Sequence, residues 1–421
     1  MERAGLVGHA PAVRELGERW VRLLERGDDE DFVCSPAGLW LALGAVAAGA
    51  RGGTAAELRE LLGVAGEEAA AAVTGAARAI AGTDSVAVAT RVWSRVPVYR
   101  AYREALPDIG FGHLGQEGQD EIDAWVKEAT GGQIEKLPVR IQADTLLALV
   151  NALALKAGWA TPFESHSTRL APFTDAAGAV HRVPTMHRPL RPGEAWTAGT
   201  VTVVELSCAP APGGGAPARV RFVLGAPGAG PADVLPEAWA PREVCRPVDA
   251  EVVSLALPRL ALRTTVDVTP QLPALGIHEA TSPAADFSGL SPEELGISHV
   301  VQEAVIKVAE LGVEAAAVTV VLARPGSGPP RPQRVLRIAY DRPFGIVVLD
   351  GTGEVPLFAA WQATAPAGEP IAGAAGHEGL LPPPFPPVPP PPGPPPGVSP
   401  APGPGGIRRS PAAPPSGPPS R

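Results

Sequence analysis

Residues 310–327 read Glu-Leu-Gly-Val-Glu-Ala-Ala-Ala-Val-Thr-Val-Val-Leu-Ala-Arg-Pro-Gly-Ser. At the two-residue period of an extended strand, Val313, Ala315, Ala317, Thr319, Val321 and Ala323 share one face, and all six are small or medium-sized and uncharged. Glu314, Ala316, Val318, Val320, Leu322 and Arg324 share the other, which holds both charges. The segment can therefore be buried on one face of a sheet without burying a charge. It runs directly into Arg324–Val335, whose four prolines, two glycines and one serine read as an exposed loop. An edge strand followed by a loop is the simplest account of this pattern taken alone.

The surrounding chain supplies a sheet for such a strand. Thr145–Lys156 is almost wholly apolar and reads as a central strand. Val201–Leu206, Arg219–Leu224, Val252–Leu262 and Val300–Ala309 read as further strands, and Ile338–Asp350, Gly351-Thr-Gly353 and Val355–Trp361 as a terminal hairpin. Helical spacing marks Pro11–Glu25 (Val13, Leu16, Trp20, Leu23, Leu24) and Gln119–Thr130 (Ile122, Trp125, Val126). Thr54-Ala-Ala-Glu57 has the form of a capping box for a short helix ending at Gly63. Ala37–Ala50 carries no charge but is fourteen residues long, too short for a spanning helix, and reads as a buried one.

Composition narrows the function. The chain has 421 residues, 45% apolar and 19% charged, with a net charge of −9. A sizeable core is affordable, whereas the acidic balance argues against nucleic-acid binding by phosphate neutralisation. The three cysteines (Cys34, Cys208, Cys245) form no CxxC and no disulfide framework. No export signal is read at the N-terminus, so a cytoplasmic protein with no membrane contact is expected. HExxH, GxxxxGK[ST] and GxSxG are absent, Gly225–Gly230 reads as a loop, and the eight histidines are scattered. No enzyme, metal or cofactor is indicated.

Half of the forty residues from Pro382 to Arg421 are prolines, so 367–421 is expected to be a disordered, polyproline II-like tail after a domain spanning 1–366. The PxxP frames of Pro382–Pro396 suit an aromatic groove of the SH3 or WW kind, and a solvated spacer explains the same composition.

Several short blocks, taken in order, resemble the serpin family of serine protease inhibitors. Phe32-Val-Cys-Ser-Pro36 with Gly49-Ala-Arg-Gly-Gly-Thr-Ala-Ala-Glu-Leu58 resembles the family's early FxSP…GAxGxTxxEL block. Ile122-Asp-Ala-Trp-Val126 through Leu137 resembles its INxWV helix, and Leu149-Val-Asn-Ala-Leu-Ala-Leu-Lys-Ala-Gly-Trp159 with Pro162-Phe163 its LVNAxYFKgxWxxPF block. Val183-Pro-Thr-Met186, Leu257-Pro-Arg-Leu260, Asp286-Phe-Ser-Gly-Leu290 and Asp341-Arg-Pro-Phe344 follow in the family's order. The resemblance covers most of 1–366 and implies an α+β fold of three β-sheets and about nine helices with an exposed reactive-centre loop.

It also implies a mechanism and a set of site residues. A target protease cleaves the loop as a suicide substrate, forms an acyl-enzyme and is trapped when the loop inserts into the main sheet, which makes the native fold metastable. By this likeness Glu310, Gly312, Val313, Glu314, Ala315, Ala316 and Ala317 form the hinge, and Ser35, Pro36, Asn151, Trp159 and Gln302 the region where the sheet opens. Family spacing from Gly312 places the reactive bond at Gly326–Ser327 after Pro325, with Arg324 as the alternative. Arg324 and Arg331 precede proline, which disfavours cleavage, so an elastase- or subtilisin-like serine protease is the expected partner of a monomeric inhibitor. Gly38 and Gln302 stand where the family has serine and histidine, and Leu311 where a polar residue is common. Pro273 falls in an expected short helix, and no basic patch suggests a heparin-like cofactor. These departures leave open a second reading, a serpin-fold binding or scaffold protein acting through its surface or tail.

Overall fold

The computed structural model describes residues 6–313 and 334–367, apart from 25–29, 85, 116–117, 130–131, 133–134, 137–139, 143–144, 156, 192, 211–214 and 241–244. The proline-rich tail, Glu314–Ala317 and Arg324–Ser327 lie outside the described residues.

The sheet that positions the site has five strands: β1 (Val86–Ser94), β2 (Gly110–His113), β3 (Leu147–Leu155), β4 (Leu260–Asp267) and β5 (His299–Val308), in the order β4-β5-β3-β1-β2. β3 lies at its centre, which is why its sequence reads as one apolar run rather than an alternation. It pairs antiparallel with β1 and parallel with β5, and β5 pairs antiparallel with β4.

Helix α2 (Pro36–Ala47) packs behind this sheet, and helix α1 (Ala10–Leu24) packs against α2 and the strand Pro356–Gln362. Every residue of α2 is buried, as its uncharged sequence requires. The start of α2 is fixed by Pro36 at its first turn and by Ser35, whose hydroxyl caps the Gly38 N–H at 3.0 Å. On the opposite face, the helix α3 (Gly118–Ala129) sets Ile122 and Val126 in one apolar cluster with Ala148 and Val150 of β3 and Val301 and Val305 of β5.

A four-stranded sheet runs in the order Val335–Ala339, Val252–Pro258, Val180–Leu190, Arg169–Thr174. A seven-stranded sheet includes the neighbouring strands Phe344–Leu349 and Pro356–Gln362. Among the described residues the α-helices number seven, supplemented by 3₁₀ turns.

Three details differ from the sequence reading. The apolar run Val252–Leu262 is two strands in two sheets, divided at Pro258-Arg259. Val335–Ala339 likewise belongs to the four-stranded sheet, so the terminal hairpin begins only at Phe344. Thr54 and Glu57 do not form a capping box, because their helix starts at Gly52. The Glu57 carboxylate instead accepts the backbone N–H groups of His278, Glu279 and Ala280, and the Thr54 hydroxyl accepts that of Asp286. Pro273 opens a 3₁₀ turn, Pro273–Leu275, which needs no N–H at that position.

Candidate functional site

The parallel pair β3–β5 forms the seam of the main sheet, in the register His299–Val305 against Ala148–Ala154. After β5 the chain reverses through Ala309-Glu-Leu311, and Gly312–Val313 turns back along it. Gly312 exchanges backbone hydrogen bonds with Ala309 on one side (2.9 and 3.2 Å) and lies opposite Gly158 on the other, while Val313 lies opposite Ala157. The first two residues of the returning segment thus lie between the continuations of β5 and β3. A side chain at Gly312 has no space there, since a Cβ would meet the Ala157 carbonyl oxygen at 2.1 Å and the Gly158 Cα at 2.5 Å. Glycine is required by this close approach.

The reversal is pinned from residues 159–163. The Trp159 indole N–H donates to the Ala309 carbonyl at 2.9 Å, its backbone N–H to that of Leu311 at 2.9 Å, and the Phe163 N–H to that of Glu310 at 2.8 Å. The Glu310 carboxylate accepts from the Thr168 hydroxyl (2.5 Å) and from Arg259 Nε (2.7 Å) and Nη2. Burial alone pushes the Glu310 pKa up, but the Arg259 and Thr168 hydrogen bonds outweigh it and hold the carboxyl below its ordinary value. Glu310 is therefore a charged anchor at the reversal that follows β5.

Deeper in the seam, Gln302 of β5, Asn151 of β3 and Thr90 of β1 stand side by side. Gln302 Nε2 donates to Asn151 Oδ1 (3.2 Å) and to the Ser35 carbonyl (3.0 Å), while its Oε1 accepts the Ser35 N–H (2.6 Å). Asn151 Nδ2 donates to the Thr90 hydroxyl (2.8 Å), and the Ser35 hydroxyl donates to the Leu357 carbonyl. This connected polar chain, whose members are all buried, ties three strands to the start of α2. The space for it is left by Gly38, where a Cβ would lie 2.1 Å from Asn151 Oδ1. Glycine at 38 and glutamine at 302 therefore belong to one packing solution.

Glu310, Gly312, Val313, Ser35, Pro36, Asn151, Trp159 and Gln302 are thus placed in two connected clusters, whereas Glu314, Ala315, Ala316, Ala317, Arg324, Pro325, Gly326 and Ser327 lie outside the described residues. Thr90, Thr168 and Arg259 were not singled out by sequence. The available signal was weak: Thr90 is a polar residue in an otherwise strand-like run, and Thr168 and Arg259 lie far from Glu310 in the chain. Among the described residues no cluster of His, Cys, Asp or Glu could hold a metal ion, Cys34, Cys208 and Cys245 form no disulfide, and no helix is long and apolar enough to cross a membrane.

Comparison with known proteins agrees with this architecture. A family model described as Serpin (serine protease inhibitor) matches residues 12–362, and the chain belongs to the serpin family. It is 32% identical over 249 residues to alpha-1-antiproteinase 2 of Equus caballus, a match spanning 58% of this chain and 56% of that protein. It is 29% identical to Iripin-2 of Ixodes ricinus over 79% of this chain and 87% of that protein. The chain thus spans little more than half the length of the first of these relatives. The native thermophilic serpin tengpin superposes with a TM-score of 0.73 at 21% identity, covering 86% of this chain and 95% of tengpin. Thyroxine-binding globulin superposes with a TM-score of 0.70, also at 21% identity, covering 86% of this chain and 99% of the globulin. At these identities the structural matches establish the fold alone.

Proposed function

We propose that this chain inhibits serine endopeptidases as a suicide substrate, its loop inserting into the β3–β5 seam after cleavage. The observation that carries the reading is the placement of Gly312–Val313 between the continuations of β5 and β3. Because β3 and β5 are parallel, a segment reversing after β5 runs antiparallel to both and can hydrogen-bond with each. The uncharged face of Val313, Ala315, Ala317, Thr319, Val321 and Ala323 lets such a strand lie on a packed layer without burying a charge. The inhibitor names carried by relatives such as alpha-1-antiproteinase 2 support the same reading.

The reactive bond is assigned to Gly326–Ser327, and the target to an elastase- or subtilisin-like enzyme. The test mixes the protein with subtilisin, a pancreatic-type elastase and trypsin, then weighs the released C-terminal peptide. A complex that survives denaturation, with a peptide beginning at Ser327 or beside it, is expected. Clean cleavage without a complex by all three enzymes would overturn the inhibitory reading for this class of target, and a peptide beginning at Val335 would overturn the assigned bond.

A further inference from the structure

Between α3 and the edge of the main sheet lies a groove of about 460 Å³, lined by Arg91, Trp93, Phe111, Glu121, Trp125 and Glu128 among others. The Arg91 guanidinium carbon sits 5.0 Å from the centre of the Trp93 ring and 5.5 Å from that of Trp125, so one cation contacts indoles from the sheet and from the helix. The two indoles meet edge to face at 6.4 Å.

The strand beside them is shaped to admit this arrangement. A Cβ at Gly112 would meet the Trp93 ring at 2.2 Å, and one at Gly110 would meet Arg91 Nε at 3.1 Å. The donors are nevertheless unsatisfied: Arg91 Nε and the indole N–H of Trp93, a residue only 2% exposed, have no hydrogen-bond partner among the described residues. Buried donors of this kind ordinarily find an acceptor. Glu121 and Glu128 act on Arg91 only through the field of their charges. A half-buried guanidinium with aromatic neighbours and no bonded anion is complementary to a carboxylate on a flat ring.

We propose that this groove binds a small aromatic carboxylate, its ring against the half-buried rings of Trp125 and Phe111 and its oxygens paired with the half-buried Arg91 guanidinium. The ligand would have a consequence for the inhibitor. Ile122 and Val126 of α3 share one buried apolar cluster with Val150 on one side of the seam and Val301 and Val305 on the other. Opening the seam for a new strand must disturb this contact. A ligand bridging α3 to β1 fastens the helix and slows insertion. This last clause rests on the inhibitory reading, whereas the binding site does not.

The experiment titrates the full chain calorimetrically with 2-naphthoate, 2-naphthamide and 2-naphthylmethylammonium. One-to-one binding of the carboxylate, at least tenfold tighter than the amide, with no binding of the ammonium, is expected. Arg91→Gln should weaken naphthoate at least tenfold with its thermal transition retained. Glu128→Gln, which removes a rim charge, should tighten it. Absence of naphthoate binding to the unaltered protein, equal affinity for the amide, preference for the ammonium, or unchanged affinity in Arg91→Gln would overturn the site. Saturating naphthoate should also slow formation of the denaturation-resistant protease complex. Tight binding without slowing would overturn the coupling to α3 and leave the binding site standing, and a protein that forms no complex at all would show failure of the inhibitory reading instead.

Discussion

Gln302 Nε2 donates to Asn151 Oδ1 at 3.2 Å across the parallel seam of the main sheet, the seam that the proposed insertion would open. This side-chain bond bridges β3 and β5, and Gln302 also holds both backbone groups of Ser35. The seam is thus closed by a satisfied buried network rather than by packing alone.

Gln302→Ala removes the partners of the Ser35 N–H and Asn151 Oδ1 together, while the Ser35 carbonyl keeps the Leu39 N–H at 3.0 Å. An unsatisfied buried group costs about 1–3 kcal/mol, so with two such groups a loss of about 2 kcal/mol or more is expected. A thermal transition lowered by less than would correspond to about 1 kcal/mol would contradict the network's role in closing the sheet.

Gly38→Ser brings a side chain into the space held by the Asn151 carboxamide, and overpacking of this kind costs about 1–3 kcal/mol. The penalty should shrink in an Asn151→Ala background, because the nearest atom is gone. A double-mutant cycle on chemical denaturation should show a coupling of about 0.5 kcal/mol or more. Strict additivity would show that Gly38 is set by something other than Asn151.

Glu310 links stability to acid. Its folded pKa is depressed, so its stabilising contribution is fully present above the unfolded carboxyl value, about 4.3, and is lost as the pH falls through the folded pKa. Glu310→Gln should therefore lower the melting temperature most at neutral pH, with the difference from the parent narrowing below about pH 4. A difference that stays constant down to the acid transition would show that the Arg259 contact contributes nothing through charge.

Val313→Glu places a carboxylate on the face that must be buried on insertion, at a cost of several kcal/mol. The variant should be cleaved at the same bond as the parent while the fraction of protease trapped falls at least tenfold. Undiminished trapping, read on denaturing gels, would contradict the assignment of that face.

Much of this was legible in the sequence because local rules and tertiary demands agreed. Most of the uncharged run Ala37–Ala50 lies in the fully buried helix Pro36–Ala47, and the apolar run around Asn151 is the central strand Leu147–Leu155, since burial on all sides leaves no alternation to conceal. The change of sheet at Pro258-Arg259 was hidden, because apolar residues continue through it. Thr54 and Glu57 misled because their polar atoms serve a loop more than two hundred residues away rather than their own helix. The mutual fit of Gly38 and Gln302 was equally hidden. Each departs singly from the family pattern, and the space they share exists only once α2 is packed against β3.

The inhibitory reading requires a folded state that gains a strand when its loop is cut. Burying the six small side chains of the inserted face contributes of order 5–10 kcal/mol. In a domain of this size each kcal/mol moves the melting temperature by roughly 2 °C. The most direct measurement is the melting temperature of the purified chain before and after a single cleavage between Gly312 and Val335. A rise of roughly 10–20 °C or more is the expected result, and an unchanged or lowered melting temperature after complete cleavage would contradict insertion at the β3–β5 seam.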